Sequence, residues 1–167
     1  MNGDDTIVLR RPTEADVEQV VALTDDPDIA RYTNVPSPNT PADVRAWIGG
    51  SLGGAHFLIA EPAAPAVVLG AVGIHHVDEE RAAAEIGYWV GREHRGRGLA
   101  ARAVTLLARW ALDEAGLARI ALLADEANTP SRRVAEKAGF AFEGILVSYE
   151  PRKDGTRRDV ACYALVA

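Results

Sequence analysis

The sequence predicts an α+β fold: a mixed central β-sheet of about seven strands with helices on both faces. Ala118 to Ala124 is an almost unbroken apolar run, the pattern of a strand covered on both faces, and the long helical segment before it makes a parallel crossover available. Asp154-Gly155 stands between two further strand-like runs, a strong hairpin signal, so antiparallel pairing belongs to the same sheet.

The elements follow in order. Thr6 to Arg11 reads as a strand. Thr13 is placed to cap a helix over Glu14 to Leu23, whose apolar side is Val17, Val20, Val21 and Ala22. A second helix begins at Thr40, with Pro41 at its first position and Asp43 in its first turn; it carries Trp47 and Ile48 and ends at Gly49-Gly50. His56 to Glu61, Ala66 to Val77 and Ala83 to Val90 read as three strands, and their short polar or proline-containing connections favour antiparallel neighbours. Gly87 inside the third weakens regular pairing and marks a local bulge or splay. The next helix starts near Gly98 and runs to about Ala115, with Leu99, Ala103, Leu106, Leu107 and Trp110 on one broad face, until Gly116 stops it. After the strand at Ala118 comes a short helix, Asn128 to Ala138, closed by Gly139. Ala141 to Glu150 and Arg157 to Val166 are the last two strands.

The chain of 167 residues is read as a single domain, residues 1–167, long enough to bury roughly 70% of its unfolded surface. Its net charge of −6, without a basic tail, disfavours nucleic acid as a partner. Asp4 and Asp5 stand where a signal peptide would carry basic residues, and no uncharged apolar run reaches the ~18 residues of a membrane span. A cytoplasmic protein, away from membranes, is expected. Cys162 is the only cysteine and cannot form an internal bridge; in its apolar run it reads as a small buried hydrophobe.

The segment Arg92 to Ala101, R-E-H-R-G-R-G-L-A-A, points to a ligand. A glycine-bearing turn that opens a helix gathers free backbone N–H groups and the positive end of the helix dipole at one point, which suits a phosphate. Gly98 and the small Ala100 let the backbone approach closely. Arg92, Arg95, Arg97 and Arg102 crowd the same place in an acidic protein, so the local field is expected to oppose the global one. The partner these features predict is a small polyphosphate. Gly96 to Ala101 also fits the G-x-G-x-x-A dinucleotide fingerprint, but Asp125 comes late for the acidic partner and the chain is too short for a second domain. His75 and His76 are neighbours on one strand, where side chains alternate between faces, so they are not expected to chelate together, and no metal site is read.

The run E-I-G-Y-W-V from Glu85 to Val90, followed by R-G-R-G-L-A from Arg95 to Ala100, resembles the GNAT superfamily of acyl-CoA-dependent N-acetyltransferases, whose pyrophosphate loop reads R-x-x-G-x-A. N-T-P-S-R-R-V-A-E-K-A-G-F from Asn128 to Phe140 resembles that family's Asn-bearing helix. Within the superfamily, the opening R-R-P-T-E-A-D-V, the stretch Y-T-N-V-P-S-P-N-T and the ending D-V-A-C-Y-A-L look like the RimJ/RimL type, which acetylates N-termini of ribosomal proteins.

The resemblance implies acetyl-CoA as cosubstrate, with its pyrophosphate on Arg95, Gly96, Arg97, Gly98, Leu99 and Ala100. It implies that Trp89 and Val90 pair with the pantetheine arm where two strands part, and that Asn128 bonds that arm or else serves the turn. The side chains of Tyr88 and Trp89 read equally as core aromatics. Tyr32, Trp47 and Tyr149 are implied on the acceptor side, although Trp47 reads equally as core.

Acetyl transfer requires a neutral amine. An α-amine with pKa ≈ 7.7–8.0 is about 10 to 15% neutral at pH 7, a lysine below ~0.1%, so an N-terminal acceptor asks less of a base. Glu85 is the candidate base, directly or through water, or else a partner in a cross-strand ion pair. Many members protonate the departing thiolate with a tyrosine on the last helix, but Ala135 occupies that position here. Ser131 in the first turn is the candidate donor, or a residue that satisfies the helix start. The expected activity is transfer to a primary amine, above all a protein N-terminus, in a ternary complex; a small-molecule amine or a non-catalytic acyl-CoA-binding module are the alternatives. The protein is expected as a monomer or homodimer.

Overall fold

The computed structural model describes residues 6–50, 54–152 and 155–167. Seven strands form one sheet: β1 (Val8–Arg10), β2 (Ala55–Ala60), β3 (Gly70–Asp78), β4 (Ala83–Val90), β5 (Arg119–Asp125), β6 (Ala141–Pro151) and β7 (Arg157–Val166). Their order across the sheet is β1-β2-β3-β4-β5-β7-β6. Every neighbouring pair is antiparallel except β4 with β5, which is parallel. The turn expected at Asp154-Gly155 involves Asp154, which lies outside the described residues, although β6 and β7 pair as expected.

Among the described residues, five α-helices cover the sheet: α1 (Val17–Thr24), α2 (Pro27–Tyr32), α3 (Pro41–Ile48), α4 (Leu99–Asp113) and α5 (Thr129–Lys137). On one face, Leu99, Ala103, Val104 and Leu107 of α4 and Ala135 of α5 bury against Ile74, Ile86, Ile120 and Tyr163. On the other, Val17 and Val20 of α1, Ile29 of α2 and Val44 of α3 bury against Leu58, Ala71 and Trp89. Both faces are covered, as the apolar pattern of the central strands predicts.

The capping signals act as expected. Thr40 Oγ1 accepts from the Asp43 N–H, the Asp43 carboxylate accepts from the Thr40 N–H at 2.9 Å, and Pro41 opens α3. The Thr13 N–H and hydroxyl both donate to Asp16, and a 3₁₀ turn at Glu14–Asp16 leads into α1. The sequence reading missed α2, six residues capped by Asp26, whose carboxylate accepts from the Asp28 N–H at 2.8 Å. One buried residue, Ile29, leaves too little periodicity to see.

Two features position the site. β4 pairs with β5 only over Ala83 to Glu85 and then diverges from it, while it stays paired with β3 as far as Val90. The splay expected near Gly87 thus lies on the β5 side. Gly87 itself pairs regularly with Gly73, and the bulge falls on β3, between His75 and Asp78.

Candidate active site

At the head of α4, Gly96 and Gly98 hold φ of +78° and +75°, left-handed backbone that favours glycine. A Cβ at Gly98 would also stand 3.2 Å from a guanidinium nitrogen of Arg102. The first helical hydrogen bond runs from the Arg102 N–H to the Gly98 carbonyl, so the N–H groups of Leu99, Ala100 and Ala101 have no acceptor inside the helix. Leu99, Ala100 and Ala101 line a cavity of about 590 Å³ bounded by β4, α2, the α4 turn and α5.

Of the residues singled out from the sequence, Tyr32, Trp89, Val90, Arg95, Gly96, Gly98, Leu99, Ala100, Asn128 and Ser131 line this cavity. Arg97, Glu85, Trp47 and Tyr149 are not among its lining residues. Arg97 turns away to an ion pair with Glu61. Arg92 and Arg95 both grip the buried carboxylate of Asp26, Arg95 at 2.8 Å, and Arg95 also reaches Asp28 at 3.1 Å. Burial alone would raise the Asp26 pKa; hydrogen bonds from Arg92 and the Asp28 N–H, with the charges of Arg95 and Arg92, outweigh it and hold the carboxyl below its usual range. The expected arginine field is therefore largely spent on carboxylates. Side chains passed over in the sequence, His94, Arg133 and Lys137, supply cationic or polar lining instead.

Val90 belongs to the edge that faces the parting of the strands, but its carbonyl already accepts from Arg95 Nε at 3.1 Å. Asn128 caps α5, its Oδ1 accepting from the Ser131 N–H at 3.2 Å. Ser131 Oγ accepts from the Tyr88 hydroxyl at 2.9 Å, a bond that joins β4 to α5 across the cleft. A hydroxyl has one donor and two lone pairs, so a serine that accepts from tyrosine keeps its own proton for another partner. Burial pushes the Tyr88 phenol above its ordinary pKa, which keeps it a donor. Tyr88, which the sequence read equally as a core aromatic, thus lines the cavity; its signal was strand alternation, which sends it to the α4–α5 face while Trp89 goes to the α1–α3 face. Ala135, where a tyrosine was sought, is fully buried.

Glu85 lies on the Trp89 face. Its Oε2 is 3.1 Å from His76 Nδ1 and 3.8 Å from His75 Nε2, so it has the cross-strand partners that were one of its two expected readings. The expectation that His75 and His76 point apart is corrected. The β3 bulge and the left-handed backbone of His76, φ 49°, break the alternation and bring both rings to one carboxylate, with centroids 4.9 Å apart. The paired glycines make the room: a Cβ at Gly87 would stand 2.8 Å from His75 Cε1, and one at Gly73 2.7 Å from His56 Nδ1. Trp47 packs on His56 at 5.3 Å and against the α1–α3 core, while Tyr149 is exposed on β6. Cys162 is half-buried rather than buried, its thiol 3.7 Å from Glu143.

A mixed sheet thus parts beside a glycine-bent helix head, with the Ser131 hydroxyl on the wall of the adjoining cavity. The chain belongs to the acetyltransferase (GNAT) domain family, whose pattern matches residues 6–141. It is 29% identical to an uncharacterized N-acetyltransferase, p20, of Bacillus licheniformis over 96% of this chain and 92% of that protein. A GNAT-family acetyltransferase from Bacillus anthracis superposes with a TM-score of 0.87 at 25% identity, over 99% of this chain and 97% of the other. RimL, a ribosomal L7/L12 α-N-protein acetyltransferase in complex with coenzyme A, superposes with a TM-score of 0.86 over 99% and 96%; at 21% identity that likeness is one of fold.

Proposed function

We propose that the protein transfers an acetyl group from acetyl-CoA to a primary amine, above all a protein N-terminal α-amine, by direct attack in a ternary complex. The observation that carries this reading is the continuity of the cavity from the open N–H groups of Leu99 to Ala101 to the Ser131 hydroxyl. When bound, acetyl-CoA supplies a thioester carbonyl and a thiolate leaving group.

The backbone N–H groups of the α4 turn hold the pyrophosphate, and the side chains of Arg95 and Arg97 serve the scaffold instead. The exposed edge of β4 at Trp89 and Val90 and the amide nitrogen of Asn128 receive the pantetheine arm. Ser131 donates its proton to the departing sulfur, and Tyr88 orients that hydroxyl. Glu85, on the far side of β4, takes the proton of the acceptor amine through water, consistent with its absence from the cavity wall. Tyr32 borders the cavity where the acceptor enters. The N-terminal acceptor is favoured by its accessible neutral form and by the fold likeness to RimL.

The direct test is a calorimetric titration of the protein with acetyl-CoA beside the Gly98→Trp variant. The wild type should bind about one equivalent and the variant none, since a side chain at φ +75° is strained and blocks the approach of phosphate. A folded wild type that binds no acetyl-CoA ends this reading. Turnover confined to lysine side chains or aminoglycosides in an amine panel ends the α-amine assignment.

A further inference from the structure

We infer that His75, His76 and Glu85 form a binding site for a first-row divalent metal ion, of which Zn²⁺ is the best match, on the sheet face opposite α4. Two imidazoles and one carboxylate make up a recurrent zinc ligand set, with the remaining positions left to water. Here one ligand atom from each of the three residues lies within 4.8 Å of the others. Glu85 Oε2 is 3.1 Å from His76 Nδ1 and 3.8 Å from His75 Nε2. Bonds of about 2.0–2.2 Å place tetrahedral ligand atoms roughly 3.3 Å apart, so closure asks for side-chain shifts on the order of 1 Å.

The backbone is shaped for this cluster. A regular strand would send adjacent histidines to opposite faces; the bulge between His75 and Asp78 and the left-handed φ of 49° at His76 put them on one. Gly87 leaves the space that the His75 ring occupies, and a Cβ there would collide with it. The His76 side chain is 67% exposed, which gives an ion its way in and keeps water at the open positions.

A bound ion would also occupy the carboxylate proposed as base, so zinc is expected to inhibit acetyl transfer; this consequence, unlike the site itself, rests on the proposed role of Glu85. The experiment is Zn²⁺ titration of the untagged, metal-free full chain by competition with a chromophoric chelator near pH 7.5. About one equivalent should bind, and His75→Gln and His76→Asn should each weaken binding by at least about tenfold. Asparagine tolerates the left-handed backbone at position 76, so His76→Asn should fold, and whatever activity it retains should no longer be inhibited by zinc. Cys162→Ser should bind as the wild type does. Absence of saturable binding, or binding unchanged in both histidine variants, overturns the site. Binding that tracks the histidines without inhibition upholds the site and removes Glu85 as base.

Discussion

At the scale of single residues, the hydrogen bond from Tyr88 to Ser131 turns two ambiguous side chains into a unit. Ser131 alone reads equally as a helix-start residue; with a tyrosine donating to its oxygen, its own proton is left for a partner other than Tyr88. A CoA thiolate is a moderate leaving group, so loss of the donor should cost at the low end of general-acid effects. Ser131→Ala is expected to lower kcat about 10²-fold with little change in KM for acetyl-CoA. Tyr88→Phe should lower kcat less, and the double variant should be no worse than Ser131→Ala, because the tyrosine acts through the serine. Steady-state kinetics on the four proteins decides it: a kcat loss under about threefold in Ser131→Ala means that water protonates the sulfur, and additive losses mean that Tyr88 acts by another route.

At the scale of elements, the long helix and the central strands were legible because each carries a period that burial enforces, 3.6 in α4 and a continuous apolar run in β5. The glycine turn was legible too, since the left-handed φ values at 96 and 98 favour glycine. Three things were not. α2, like α3, has a side-chain N-cap and a first-position proline, Asp26 and Pro27 against Thr40 and Pro41, but is too short for a period. The β3 strand was begun too early, at Ala66, because Val67, Val68 and Leu69 look like a strand although they precede its pairing and Val67 faces solvent. The β3 bulge depends on pairing with β4, which no local pattern records, and it carried the histidine cluster out of view. Arg92 and Arg95 had their partners, Asp26 and Asp28, at the head of the unseen α2. The Asp26 side chain is 4% exposed and receives two guanidinium groups, so Asp26→Ala leaves Arg92 and Arg95 without the carboxylate that ties α2 to the end of β4. The variant should melt on the order of 5 °C lower and, because α2 lines the cavity through Ile29 and Tyr32, bind acetyl-CoA more weakly. Unchanged melting and unchanged affinity would show that α2 is held by packing of Ile29 alone.

At the scale of the whole molecule, the sheet separates two approaches to one point. α4 and α5 cover one face and frame the cavity, α1 and α3 pack on the other, and β4 and β5 part between them, so a cosubstrate and an acceptor can meet at the parting from opposite sides. The proposed direct attack, rather than a covalent acyl-enzyme, rests on that arrangement. The chain's only cysteine, Cys162, sits on β7 beside Glu143 and is not among the residues that line the cavity. Burial pushes its thiol above the ordinary pKa, and the Glu143 carboxylate adds to the shift, so thiolate is scarce at neutral pH. Initial velocities measured over a grid of acetyl-CoA and amine concentrations should therefore give intersecting double-reciprocal lines, and Cys162→Ser should leave kcat within about twofold. Parallel lines, together with acetyl label retained on the protein in the absence of amine, would instead require a nucleophile in the cleft and would reverse the argument from the geometry of the sheet.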